Sequence, residues 1–263
     1  MCLLSFAYQV HPDYPLILIS NRDEVYHRPT ARAHFWKDYP YVLAGRDLEK
    51  NGTWLGVTTS GRFSALTNYR KPGEIQKSTS RGDLVSGFLT GTQKISEYIA
   101  CLEASADNYN GYNIIAGSLD DLWYFSNCSM QSQKVKPGIY GLSNHLLDTP
   151  WPKVRKIKSA LSDYLASADP VTIDGLLQLL LDGEKPNDED LPDTGVGLEW
   201  ERILSPVFIK SERYGTRANT VILIDRIGNL SFYEKSFDSG KFFTSSYKIK
   251  LGNGNGVGES CVI

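Results

Sequence analysis

Apolar residues recur with two different periods along this chain, and the order of those periods constrains the fold more than any other feature. Short runs of strand character fill the first half. Residues 2–8 and 16–20 are joined by the turn-rich His11-Pro12-Asp13-Tyr14-Pro15, 53–58 and 62–66 flank Thr59-Ser60-Gly61, and 112–116 and 122–126 form a third pair. Helical spacing interrupts them at 81–89 (Leu84, Val85, Phe88) and 95–102 (Ile95, Tyr98, Ile99, Leu102). It returns at 150–165 (Val154, Ile157, Leu161, Leu165), where Pro152 fits only the first turn, and at 173–181 behind the capping residue Thr172. Strand pattern resumes at 221–224, 230–233 and 242–251. Strands, then helices, then strands again predict an α+β protein whose early and late hairpins share a sheet. Two stacked sheets between helical layers would use every element.

A chain of 263 residues with 41% hydrophobic and 22% charged side chains suits one globular domain, taken as residues 1–251, with 252–263 as a flexible tail. The acidic and proline-containing stretch 183–197 reads as an exposed loop. Basic and acidic residues, 28 against 30, nearly cancel, which argues against a nucleic-acid partner. No transmembrane segment is expected, because no apolar run approaches the roughly 20 residues that span a bilayer. Cys2, Cys101, Cys128 and Cys261 form no CxxC pair and no ligand spacing with histidine, so neither a metal nor a cofactor is expected. Reduced thiols and the lack of a secretory signal point to a cytoplasmic protein. Oligomeric state is left open.

Cys2 is the residue with the most specific chemistry. Removal of Met1 would give it a free α-amino group, whose pKa of about 7.7–8.0 makes it a usable base near neutral pH. One residue then supplies both a sulfur nucleophile and its proton acceptor, as N-terminal threonine does in other hydrolases. His145 has no acid neighbour to orient it as the base of a Cys/His pair.

Asn21-Arg22-Asp23-Glu24 closes the second apolar run and is followed in order by Ala44-Gly45-Arg46-Asp47, Gly52-Thr53-Trp54-Leu55-Gly56 and Ala65-Leu66-Thr67-Asn68-Tyr69-Arg70. Tyr140-Gly141-Leu142-Ser143-Asn144 and Tyr214-Gly215-Thr216-Arg217 complete the pattern. Together these blocks resemble the NRDE family, which includes the transport-and-Golgi-organisation-2 proteins and is similar to cysteine N-terminal-nucleophile hydrolases such as bile salt hydrolase and penicillin V acylase. The resemblance implies a four-layer α-β-β-α sandwich in which Cys2 attacks an amide carbonyl, Arg22 and Asp23 steady thiolate and amine, and Asn68 and Asn144 serve oxyanion and amine. Arg217, ahead of the apolar run 218–225, or Arg213 takes the place of a late arginine. In the hydrolases two residues separate the early arginine and aspartate, whereas Arg22 and Asp23 are adjacent and would face opposite ways on an extended strand. Either the strand ends between them, or one alone enters the site and Asn21 or Glu24 replaces the other.

Two functions follow as expectations: an enzyme acting on a small-molecule amide or thioester, and a non-catalytic carrier of haem or acyl lipid, as the family's ties to haem mobilisation and acyl-lipid handling imply. Selectivity is expected from the loops at 26–41 and 187–200.

Overall fold

A computed structural model describes residues 2–167, 170–238, 240–252 and 259–261. Its strands are β1 (Cys2–Tyr8), β2 (Leu16–Val25), β3 (Thr30–Phe35), β4 (Val42–Asp47), β5 (Leu55–Thr58), β6 (Phe63–Asn68), β7 (Tyr112–Gly117), β8 (Leu122–Ser126), β9 (Gln131–Lys134) and β10 (Gly138–Leu142). After the central helices come β11 (Tyr214–Ile224), β12 (Asn229–Asp238), β13 (Lys241–Lys250) and β14 (Glu259–Cys261). The helices are α1 (Gly82–Thr90), α2 (Ile95–Ala104), α3 (Pro152–Ala166), α4 (Ile173–Leu179) and α5 (Leu198–Leu204).

These strands form two seven-stranded sheets, β10-β1-β2-β11-β12-β13-β14 and β3-β4-β5-β6-β7-β8-β9. The early hairpin β1–β2 and the late hairpin β11–β12 lie in one sheet, joined by the antiparallel β2–β11 pairing. Strand alternation explains the layering. Leu4, Phe6 and Leu18 point between the sheets and pack with Val57, Ala65, Ile115 and Phe232. Their neighbours Leu3, Ile17 and Ile19 face Val154, Ile157 and Leu161 of α3 and Leu176 of α4. On the other side, Val42, Leu66 and Ile114 meet Val85, Phe88 and Ile99 of α1 and α2. The layers are therefore α-β-β-α, with one apolar core between the sheets and one beneath each helical layer.

The local signals in the helices have physical counterparts. Pro152 occupies the first turn of α3, and the Thr172 hydroxyl accepts the Gly175 N–H at 3.1 Å to cap α4. Two differences from the sequence reading concern strands. β2 does not end at Ser20 but runs through the polar block to Val25, because β11 pairs with it as far as Tyr214↔Val25. The segment 30–47, read only as a loop followed by a motif, forms β3 and β4. Of the expected tail, Glu259–Cys261 pairs with β13, while residues 253–258 and 262–263 lie outside the described residues.

Candidate active site

Cys2 opens β1 and is almost wholly buried, directly opposite Arg22 of β2. Both even-numbered side chains belong to the face between the sheets. A cavity of about 490 Å³ opens at this end of the sandwich and is bordered by Cys2, Arg22, Asp23, Glu24 and Asn68, with Arg81 at the start of α1. Arg22 bridges the two sheets. Its guanidinium donates to the Thr30 hydroxyl at 3.0 Å, lies 3.8 Å from the Asp47 carboxylate and stacks on Trp54 at 4.1 Å. Asp47 in turn accepts Arg28 Nε at 2.5 Å and the backbone N–H groups of Glu49 and Lys50 at 3.0 Å. Three of the sequence blocks are thus one physical assembly, in which Asp47 and Trp54 fix the cation beside the thiol.

The adjacent pair divides as strand geometry requires. Arg22 lies between the sheets, whereas the Asp23 carboxylate turns toward the helical side and accepts the Thr216 hydroxyl at 2.7 Å. Asp23 still borders the cavity, over the end of the strand. Asn21 does not border it. Its amide donates to the Leu180 and Val207 carbonyls at 3.0 and 2.7 Å and accepts from Asn219, tying β2 to the end of α4. Glu24, on the same face as Arg22, is the carboxylate that joins Arg22 in the cavity wall.

Asn68 ends β6, and its side-chain amide makes no hydrogen bond among the described residues, so it is available to a ligand. Asn144 stands one step back. Its amide donates to the Asn68 carbonyl at 2.9 Å, and its oxygen accepts the Ser143 hydroxyl at 3.2 Å, which also reaches the Cys2 carbonyl at 3.3 Å. Asn144 therefore holds the Asn68 and Cys2 backbones together rather than bordering the cavity. Arg217 is farther away. It is the extra residue of a bulge between Thr216 and Ala218, and its guanidinium donates to the carbonyls of Val25 and Arg28 at 3.0 and 3.2 Å. It borders two neighbouring depressions but not the cavity of Cys2. His145 is bound to Thr149 at 2.8 Å and packs between Tyr69 and Trp151.

Burial dominates the electrostatics. It pushes the Cys2 thiol up, with Arg22 opposing and Asp23 reinforcing the shift. It also raises the Asp23 carboxyl, partly offset by Lys153, whose own ammonium is pushed down to about 8 by burial. Glu24 is held below the usual carboxylate range, because the positive charges around it and the Val25 N–H outweigh the effect of burial. Arg22 is lowered by burial yet remains a cation at neutral pH.

The expected selectivity loops contribute little to this cavity. Its outer wall is instead the segment 76–82, pinned by Asn110, which accepts the Lys77 N–H at 2.9 Å and donates to the Ile75 carbonyl at 2.8 Å. Periodicity assigned Arg81 only to a helix start, and no sequence signal linked it to Cys2. Gly52 lets this wall close: a methyl group there would lie 2.6 Å from the Gly82 carbonyl carbon. Gly52→Ala is expected to cost about 1–3 kcal/mol through displacement of that backbone, read as a lower midpoint in urea unfolding. An unchanged midpoint would show that the close approach is not needed.

Comparison with known proteins places this geometry. The sandwich aligns with a mutant of the conjugated bile acid hydrolase from Clostridium perfringens over 100% of this chain and 97% of that one, at a TM-score of 0.50 and 8% identity. The likeness establishes the N-terminal-nucleophile hydrolase sandwich as the fold. The Transport and Golgi organization 2 homolog of Mus musculus is 35% identical over 274 residues, covering 95% of this chain and 99% of its own. Transport and Golgi organization protein 2 of Drosophila melanogaster is 29% identical over 264 residues, covering 90% and 92%. No helix among the described residues is long and apolar enough to cross a membrane. With the sequence profile of Transport and Golgi organisation 2 matching residues 1–239, the chain belongs to that family.

Proposed function

We propose that the chain, once Met1 is removed, is an N-terminal-nucleophile hydrolase or acyltransferase acting on a small amide or thioester, with Cys2 as the nucleophile. The observation that carries this reading is the position of Cys2: a thiol at the base of a cavity shared with Arg22 and the unpartnered amide of Asn68, at the open end of a hydrolase-type sandwich. The α-amino group takes the proton from Sγ, and the sulfur attacks the acyl carbon. Asn68 donates to the oxygen that becomes negative, and Arg22 steadies the thiolate. The C–N or C–S bond then breaks, the leaving group takes the proton back from the ammonium, and an acyl group remains on sulfur. Water, or an acceptor amine, attacks that thioester with the α-amino group as base and regenerates Cys2. Glu24 or Asp23 orients the ammonium. The same reading takes residues 1–251 as a single catalytic domain working in the cytoplasm.

A second reading has one observation in its favour. Burial pushes the Cys2 thiol up, against formation of the nucleophilic thiolate, which suits a non-catalytic carrier whose ligand does not depend on sulfur.

Intact mass and peptide mapping test the enzyme reading. Incubation of the processed protein with an acyl-thioester is expected to add one acyl mass to the peptide carrying Cys2. Acylation spread equally over Cys2 and the exposed Cys101 and Cys128 would refute it.

A further inference from the structure

The cavity beside Cys2 is bordered by five cations, Arg22, Arg28, Lys50, Lys77 and Arg81, and by three carboxylates, Asp23, Glu24 and Asp47. Asp47 is already engaged by Arg28 and by the Glu49 and Lys50 N–H groups. The Asp23 carboxylate is bound by Thr216 on the helical side. Three cations bordering the cavity lie in no ion pair among the described residues, although Glu74 and Glu24 act on Arg81 and Asp83 on Lys50 at longer range. Arg81 gives one guanidinium N–H to the Gly111 carbonyl at 3.1 Å and lies in no ion pair. Lys77 spends its ammonium on the carbonyls of Asp107 and Tyr109, at 2.6 and 2.9 Å, which leave its charge uncompensated. Lys50 has neither a hydrogen bond from its ammonium nor an ion pair.

The wall between these cations is made of hydroxyls. Ser78, Thr79 and Ser80 follow one another along the cavity edge, and none of their side chains has a hydrogen-bond partner among the described residues. They lead directly into α1, whose first-turn N–H groups of Asp83 and Leu84 already donate to the Ser80 and Arg81 carbonyls at 3.2 and 3.1 Å. Cations and hydroxyls without a protein partner among the described residues converge on one side of a cavity of about 490 Å³. A neutral ligand would not use the excess of positive charge, and a monocarboxylate has too few oxygens to engage several donors at once. A tetrahedral oxyanion of the phosphate class meets both requirements.

We propose that Lys50, Lys77 and Arg81, with Ser78, Thr79 and Ser80, form a subsite for a phosphate-class group at the end of the substrate remote from the scissile carbonyl. The subsite rests on the reading of Cys2 as the nucleophile only for the word substrate; as an anion site it stands on its own geometry. Arg81 and the lysines position the ligand and take no part in bond breaking.

Titration calorimetry of the full chain tests this with inorganic pyrophosphate as the probe and hexanoate as the carboxylate control. Saturable pyrophosphate binding is expected, together with slower labelling of Cys2 by iodoacetamide and no matching effect from hexanoate. Lys50→Gln, at an exposed position, is expected to weaken pyrophosphate about threefold or more without risk to folding, and Lys50→Gln with Arg81→Gln about tenfold or more. Arg81→Lys, which keeps the charge, is expected to recover part of that loss. Absent pyrophosphate binding by the wild type, unchanged affinity in Lys50→Gln, or equal binding of hexanoate would each overturn the proposal. Because binding is read without turnover, an inert Cys2 would refute the enzyme reading and leave the anion site intact, and the converse result would do the opposite.

Discussion

Cys2→Ser is expected to lower turnover of an acyl amide or acyl-thioester by about a thousandfold or more while leaving ligand affinity nearly unchanged. Hydroxyl and thiol fill similar space, but near neutral pH the hydroxyl is far less ionised and far less nucleophilic. The residual rate comes from Asn68 and Arg22, which stay in place because neither is held by Cys2: Arg22 is fixed by Thr30, Asp47 and Trp54. If Cys2 instead binds haem iron, the same substitution weakens haem binding and shifts its absorption spectrum, since a thiolate ligand is lost. A carrier that uses only apolar contacts would respond in neither assay. Side-by-side assays of acyl amides, acyl-thioesters and haem therefore separate the readings, and wild-type turnover retained in full by Cys2→Ser would remove the thiol from the mechanism.

The largest expected loss of stability lies on the helical side, at Glu201 of α5. Its carboxylate meets the Arg70 guanidinium at 2.7 Å, and both side chains are nearly inaccessible, at 4% and 6% exposure. The other carboxylate oxygen accepts the Thr194 backbone N–H at 2.9 Å and the Thr194 hydroxyl. Glu201→Ala would take the carboxylate from a buried guanidinium and is expected to cost about 3–5 kcal/mol in chemical unfolding. Arg70→Met combined with Glu201→Leu should cost much less, because it removes both charges together. Equal losses in the two variants would show that packing, not charge, governs the site. The effect should extend toward the cavity, since the Arg70 N–H donates to the Asn144 carbonyl at 2.7 Å and Asn144 holds Asn68.

How far the sequence reveals this depends on the range of the interactions. Helix and hairpin signals are local, so the α+β order and the cap at Thr172 are readable from spacing alone. The extent of β2 is not, because Asn21-Arg22-Asp23-Glu24 has the composition of a strand end and is kept extended by a partner almost 200 positions later. The opposite facing of Arg22 and Asp23 follows from strand alternation and could be anticipated. That Asn21 supports the helical layer while Glu24 joins the cavity depends on which sheet face meets α4, and a single sequence does not encode that in any short pattern. Arg217 had a suitable position in the motif order, yet the bulge at Thr216/Ala218 turns it toward the carbonyls of Val25 and Arg28. Arg81 and the hydroxyls before it had no signal, because a polar connection ahead of a helix looks the same whether it lies against solvent or against a cavity.

The placement of β1 between β2 and β10 has a kinetic consequence. Cys2 can pair with Arg22 as soon as a short hairpin closes, but its strand gains its other neighbour only through Leu4↔Leu142, and β2 gains its own only through Arg22↔Ala218. Contacts of such long sequence separation incur loop-closure entropy before they return any stabilisation, which slows folding toward the millisecond-to-second range. During synthesis the first residues therefore remain accessible to processing enzymes long before the strands that bury Cys2 exist. On the proposed reading the topology sets the order of events: Met1 is removed while the chain is open, before the thiol is enclosed.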